Sequence, residues 1–246
     1  MNIDFTNKTA IVTGGTMGIG KAIVEVLYEN GANLIITGIE KDIIDKLNGE
    51  KNPRKTYFFV DFSLMSSINN FISELKSFDK IDILINNAGI NIVKPNVETS
   101  DEDFDKINNI NIKAPYILSR EVSKLMIKNG YGRIVNISSI WSIKTRMHRS
   151  LYTTTKSALV GLTKTLAAEL GEHNILVNAV APGFTMTELT IKTNTADDLV
   201  RLANQVPLKR LAQPVEIANF VAFLSSDLNT YITGQNMLID GGFTYV

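Results

Sequence analysis

Residues 9–30 read T-A-I-V-T-G-G-T-M-G-I-G-K-A-I-V-E-V-L-Y-E-N. A short run rich in β-branched residues (9–13) passes into a glycine turn (13–20) and then into a segment with helical spacing (21–30). Gly31 follows as a helix stop. A strand, a glycine loop and a helix in that order form the opening unit of a parallel α/β sheet. Gly14, Gly18 and Gly20 stand at the spacing G-x-x-x-G-x-G. Glycine permits the tight turn and lets backbone N–H groups approach a pyrophosphate at the helix N-terminus. An ordinary glycine-rich βα turn would look the same in isolation; the flanking strand and helix favour the phosphate-binding reading. The loop lacks the G-K-[ST] ending of nucleotide triphosphatases.

The pattern continues outward. Nearly continuous apolar runs recur at 33–37, 56–60, 81–85, 133–137, 175–180 and 236–240, with helical stretches such as 64–75 between them. Strands covered on both faces read this way, and alternation of strand and helix predicts a doubly wound, Rossmann-type α/β fold. Seven strands with their helices account for most of the 246 residues, so one domain spanning 1–246 is expected.

Composition narrows the function. Hydrophobic content is 44% and charged content 20%, which suits a globular protein with a large core. A formal net charge of zero gives no general attraction to nucleic acid or an anionic membrane. With no cysteine there is no thiol nucleophile, disulfide or cysteine-held metal, which suits a cytoplasmic protein. His148 and His173 are too scattered for a histidine metal site, so no metal is expected. The first residues, M-N-I-D-F-T, carry an early acid and no long apolar run, unlike a signal peptide, and no later stretch is long enough to span a bilayer.

In an open α/β sheet, ligands gather at the carboxyl ends of the strands. Asp61 lies at that edge after the third run, and Asn86 and Asn87 after the fourth. The fifth run ends at Ser138–Ser139, and Y-T-T-T-K (152–156) opens the next helix. Positions i and i+4 share a helix face, so Tyr152 and Lys156 both point toward the crevice. An ammonium beside a phenol lowers its pKa, and a phenol so tuned can exchange a proton with a carbonyl or alcohol oxygen. By itself Tyr-x-x-x-Lys is a common surface pair; Ser139 and the glycine loop give it meaning.

With these motifs assembled, the chain resembles the short-chain dehydrogenase/reductase family in its compact form, essentially end to end. The matching stretches are T-G-G-T-M-G-I-G (13–20), N-N-A-G (86–89), N-I-K-A (111–114), I-S-S (137–139), Y-T-T-T-K (152–156), A-P-G-F-T-M-T (181–187) and I-D-G-G (239–242). The resemblance implies an NAD(P)-dependent oxidoreductase that interconverts a carbonyl and a secondary alcohol. Tyr152 is then the general acid/base, and Ser139 holds the substrate oxygen. Lys156 binds the nicotinamide ribose and lowers the Tyr152 pKa, and Asn111 holds a water that links Lys156 to solvent. Cofactor contacts are implied from Gly14, Thr16, Met17, Gly18, Ile19 and Gly20 in the loop, and from Gly38 and Ile39 after the second strand. Asp61 meets the adenine, and Phe62 beside it is a further cofactor contact. Asn87, Ala88 and Gly89 meet the ribose. Pro182, Gly183, Thr185 and Thr187 lie near the carboxamide. The family also implies a substrate lid at about 186–207 and a homotetramer built on the long helices after Asp101 and Tyr152.

A non-catalytic NAD(P)-binding regulator is one rival reading, but no residue of the Asn-Ser-Tyr-Lys set is missing. A sugar-nucleotide epimerase is another, but the chain is short and the glycine spacing differs. NAD-preferring relatives often carry Asp where this chain has Gly38, and NADP-preferring ones carry a basic residue where it has Ile39 or Met17. A missing phosphate cation costs more than a missing hydroxyl acceptor, and Glu40 opposes a phosphate although Lys41 is near, so the balance tips to NAD. The loop W-S-I-K-T-R-M-H-R-S-L (141–151) gathers Lys144, Arg146, His148 and Arg149. It reads either as a solvated or subunit-contact face or as an electropositive mouth for an anionic small-molecule substrate. P-L-K-R-L-A-Q-P-V-E-I-A (207–218) is similar to 3-oxoacyl-carrier-protein reductases. The two basic positions that dock the carrier in those enzymes align with Gly130 and His173, which places a small polar or sugar-like substrate ahead.

Overall fold

A computed structural model describes residues 3–246. The elements run β1 (Thr9–Val12), α1 (Gly18–Glu29), β2 (Asn33–Gly38), α2 (Lys41–Gly49), β3 (Lys55–Phe59), α3 (Met65–Leu75) and β4 (Ile83–Asn86). Next come α4 (Asp101–Asn108), a π turn (Asn109–Lys113), α5 (Ala114–Asn129), β5 (Gly132–Ile137), α6 (Ser150–Leu170) and β6 (Ile175–Pro182). The chain closes with α7 (Glu188–Thr193), α8 (Ala196–Gln205), α9 (Pro214–Ser225) and β7 (Asn236–Ile239).

The seven strands among the described residues lie in one parallel sheet, ordered β3-β2-β1-β4-β5-β6-β7. This is the doubly wound, Rossmann-type arrangement the sequence predicts. Successive strand residues face opposite sides. Ala10 and Val12 therefore enter a core shared with α1 and α9, while Ile11 between them enters a second core beneath α3, α5 and α6. Both faces are covered, which is why the strands read as unbroken apolar runs. The chain reverses its direction across the sheet between β1 and β4, and that reversal opens a crevice at their carboxyl ends.

The structure shifts several expected boundaries. The fourth strand starts at Ile83, and Asp82 just before it holds Thr9 N–H with its carboxylate at 2.8 Å. The third strand stops at Phe59, so Asp61 sits in the turn beyond it. Gly31 does stop α1; its φ is +100°, and a Cβ there would lie 2.8 Å from Thr6 Oγ1. The segment expected as a lid contains the two short helices α7 and α8. No helix among the described residues is long and apolar enough to cross a membrane.

Candidate active site

The glycine loop is built for close approach. Gly14 and Gly18 hold φ near +60°, and a Cβ on Gly20 would fall 2.1 Å from the Gly14 carbonyl. Gly20 is therefore the contact by which α1 packs on its own loop. Asn87 holds the loop from the neighbouring strand, with Nδ2 donating to the carbonyls of Thr13 and Gly14 at 2.9 and 3.0 Å. Thr13 Oγ1 accepts from Asn87 N–H and Ala88 N–H. The side chain of Asn87 thus acts as scaffold. Asn86 turns inward and donates to Asn136 and Ser119, fixing β4 to β5 and α5.

A cleft of about 940 Å³ runs from this loop to the start of α6. At one end Gly14, Thr16, Gly38, Ile39, Asp61 and Phe62 line it. Asp61 is partly engaged, with Oδ1 accepting from the Ser63 hydroxyl at 2.6 Å. Gly89 stands between the two ends. At the other end are Ser139, Tyr152 and Lys156, with Pro182, Gly183, Thr185 and Thr187 opposite. Gly18, Gly20 and Asn111 stand behind the wall of the cleft and shape it from there.

Lys156 is buried, and Nζ donates to the Ile137 carbonyl at 2.7 Å. Burial pushes its pKa down to about 8. A Cβ on Gly89 would lie 3.3 Å from both Lys156 Nζ and Asn111 Oδ1, so these three residues are packed together. Asn111 sits in the π turn, a feature that often marks functional sites. Its Nδ2 donates to Ile90 O and Thr155 Oγ1, and its Oδ1 accepts from Ile90 N–H. Both amide hydrogens are therefore taken, and the side chain anchors the loop that carries Gly89 to α6. Ser139 Oγ accepts from Trp141 N–H at 3.2 Å, which fixes the start of the following turn.

Tyr152 lies beside Ser139, and its ring centroid is 5.6 Å from Lys156 Nζ. Here the structure differs from the sequence expectation. Burial raises the phenol pKa, and the opposing influences are the Ser139 hydroxyl and the Arg149 charge. Lys156 is turned toward Ile137 O instead of toward the phenol oxygen.

Other features of the site arise from contacts around the start of α1 and the start of α6. Gly18 N–H donates to Glu188 Oε2 at 3.0 Å, so the first residue of α7 supplies a carboxylate to the N-terminus of α1. Met17, the N-cap of α1, offers no side-chain cap. Thr187 Oγ1 accepts from Thr190 N–H and so orients Glu188. Glu40 Oε2 lies 3.4 Å from Thr16 Oγ1 at the glycine-loop end. Trp141, Phe184 and Phe243 meet edge to face, with centroids 5.0–6.2 Å apart, and Tyr152 packs on this cluster.

The site fits a dinucleotide on its own geometry. Its glycine cradle has no room for a side chain at Gly15 or Gly20 and left-handed backbone at Gly14 and Gly18, the helix start has backbone donors with no cap from its own chain neighbours, and one continuous cleft joins that start to a tyrosine–lysine pair. The comparisons agree. Residues 14–244 match the family model described as enoyl-(acyl carrier protein) reductase. A 3-oxoacyl-[acyl-carrier-protein] reductase of Rickettsia felis is 39% identical over 99% of this chain and 100% of its own. An NAD-dependent glycerol dehydrogenase of Listeria innocua is 35% identical over 99% of this chain and 96% of its own. A gluconate 5-dehydrogenase from Burkholderia cenocepacia, solved with NADP and tartrate, superposes with a TM-score of 0.90 at 27% identity, over 100% of this chain and 98% of that one. Sequence motifs, sheet order and full-length relatives agree that the chain belongs to the short-chain dehydrogenase/reductase family of NAD(P)-dependent oxidoreductases.

Proposed function

We propose that the protein interconverts a secondary alcohol and a carbonyl on a small polar or sugar-like substrate, with Tyr152 as general acid/base. The convergence of Ser139, Tyr152 and Lys156 on one end of the cleft carries this reading. A bound nicotinamide dinucleotide would accept or deliver the hydride. The protein's residues handle orientation and the proton. Ser139 donates a hydrogen bond to the substrate oxygen. Tyr152 gives that oxygen its proton in reduction and takes it in oxidation, a contribution of about 10²–10⁴ in rate. Lys156, whose pKa burial brings down to about 8, binds the ribose hydroxyls and through them returns a proton to Tyr152. Asn111 keeps the Lys156 and Gly89 sides of the cleft in register; a linking water would use the free lone pair of Oδ1 or the backbone of the π turn.

The loop residues Gly14 to Ile19 would hold the diphosphate, Asp61 and Phe62 the adenine, and Thr185 and Thr187 the carboxamide. Glu40 supports NAD, because a carboxylate beside Thr16 accepts from a ribose 2′-hydroxyl and repels a 2′-phosphate. A homotetramer would assemble on the long helices after Asp101 and Tyr152, where Phe104 on α4 and Tyr116 on α5 are exposed.

A second reading, 3-oxoacyl-carrier-protein reductase, is supported by the Rickettsia relative. Against it stands the surface at the ends of α5 and α6. Gly130 and Asn174 are joined there at 3.1 Å, and the neighbouring His173 has Glu172 at 3.7 Å. That pair offers an acidic carrier protein no permanent cation. The deciding experiment follows reduced-nicotinamide absorbance with polyols, sugar acids, their phosphates and acetoacetyl thioesters. Turnover of a polyol or sugar acid supports the first reading; efficient turnover of the carrier thioester alone establishes the second.

A further inference from the structure

The chain contains seven arginines, and five of them have partners. Arg54 donates to the carbonyls of Tyr28 and Ala32, and Arg133 to those of Gly132, Asn174 and Asn229. Arg120, Arg201 and Arg210 are paired with Glu121, Asp198 and Glu216. Among the described residues, only Arg146 and Arg149 have neither an ion pair nor a hydrogen bond from the guanidinium. Both line the cleft at the end that holds Ser139 and Tyr152.

Arg149 is half-buried, and burial pulls its pKa down. A guanidinium taken partly out of water without a counter-charge costs the fold stability, so a partner that arrives later is the simplest reason to keep it there. The carboxylates that line the cleft do not serve. Glu40 and Asp61 belong to the glycine-loop end, where Asp61 is bonded to Ser63.

The basic loop expected from the sequence thus divides in two. Lys144 turns away, with Nζ donating to the Val246 carbonyl at 2.6 Å, and His148 is exposed. His148 also holds a φ of +65°, an uncommon conformation for a non-glycine residue, and its carbonyl accepts from Lys94 N–H at 3.2 Å. This fixed turn immediately precedes Arg149, the N-cap residue of α6, three positions before Tyr152.

We propose that Arg149, with Arg146 beside it, binds an oxyanion of the substrate, so that the reacting alcohol belongs to a hydroxy acid or a phosphorylated polyol and not to a neutral one. This rests on the oxidoreductase reading of the same site. A guanidinium offers paired donors that match the two oxygens of a carboxylate or phosphate. Holding that group at Arg149 orients the neighbouring carbon chain toward Tyr152.

The test uses gluconate, glucitol and glucitol 6-phosphate, each with NAD⁺ and NADP⁺. kcat/KM for an anion should exceed that for glucitol by about tenfold or more, as charge-assisted contacts allow. Arg149→Gln should lower that ratio by about tenfold, mainly through KM, and Arg149→Lys should recover part of it. The choice between gluconate and the phosphate ester identifies which oxyanion is bound. Binding is read separately from turnover. Trp141 is the only tryptophan and lines the cleft, so its fluorescence should respond to the preferred anion in wild type and far less in Arg149→Gln. Equal use of glucitol and the anions, an anion/neutral ratio that moves less than about threefold in Arg149→Gln, or no anion response at Trp141 overturns the proposal. Turnover of glucitol alone would overturn it while leaving the oxidoreductase reading intact; anion binding at Trp141 without turnover of any compound in the panel would do the reverse.

Discussion

Lys156→Met should make the cofactor-free protein more stable while abolishing useful turnover. The magnitude follows from where the lysine sits. Its ammonium is buried and has the Ile137 carbonyl at 2.7 Å as partner, and its pKa falls from 10.5 to about 8. At about 1.36 kcal/mol per pKa unit, keeping the charge there at pH 7 costs the fold about 3 kcal/mol. Methionine keeps the length of the stem and removes the charge. It also leaves Ile137 O without this donor, a loss of about 1 kcal/mol or more. The net gain at pH 7 is about 1–2 kcal/mol, or about 2–8 °C in Tm for a chain of this size. The pH dependence gives the signature. Between about pH 8 and 10.5 the unfolded lysine keeps a proton that the folded one has lost, so wild-type stability from this group rises with pH across that window. The advantage of Lys156→Met should be full below pH 8 and disappear by about 10.5. Urea unfolding of both proteins at neutral and alkaline pH measures it. A variant less stable than wild type at pH 7, or a gap that does not narrow with rising pH, would refute the reasoning.

Two other substitutions test the cofactor end of the cleft. Glu188→Gln removes the carboxylate that accepts from Gly18 N–H, where a diphosphate would compete for the same helix start. Calorimetry should show dinucleotide affinity rising about two- to fivefold, and unchanged or weaker binding would contradict the competition. Glu40→Gln should raise the NADPH-over-NADH ratio of kcat/KM by about fivefold, the effect of removing one nearby half-buried charge. A wild type that already prefers NADPH more than tenfold would overturn the choice of NAD.

Much of this site is written locally in the chain. The strands announce themselves because burial on both faces removes polar alternation, as in I-I-T (35–37) and I-L-I (83–85). The glycine loop is visible because backbone approach demands glycine, and Tyr152 and Lys156 because helix geometry aligns i with i+4. What stays hidden is set by distant contacts. Glu188 and Gly18 are 170 residues apart, and nothing in T-E-L-T marks the acid as a cap for α1. The basic loop shows four candidates, but only packing reveals that Lys144 turns toward the C-terminus while Arg146 and Arg149 line the cleft without partners. The direction of the Tyr152 pKa is likewise set by packing. Spacing places Lys156 on the correct face, but burial of the phenol, opposed by Ser139 and Arg149, sets the direction of its shift, while Lys156 Nζ is bonded to Ile137 O. Asn111 is visible as a motif residue, yet its three bonds to Ile90 and Thr155 depend on the π turn.

The central claim is that the Tyr152 hydroxyl moves the proton. Tyr152→Phe keeps the ring, its packing on the Trp141–Phe184–Phe243 cluster and the cofactor cleft, and removes one oxygen. Steady-state turnover of the best substrate should fall by about a hundredfold or more in kcat, with dinucleotide affinity by calorimetry nearly unchanged. Near-normal kcat in Tyr152→Phe would contradict the account.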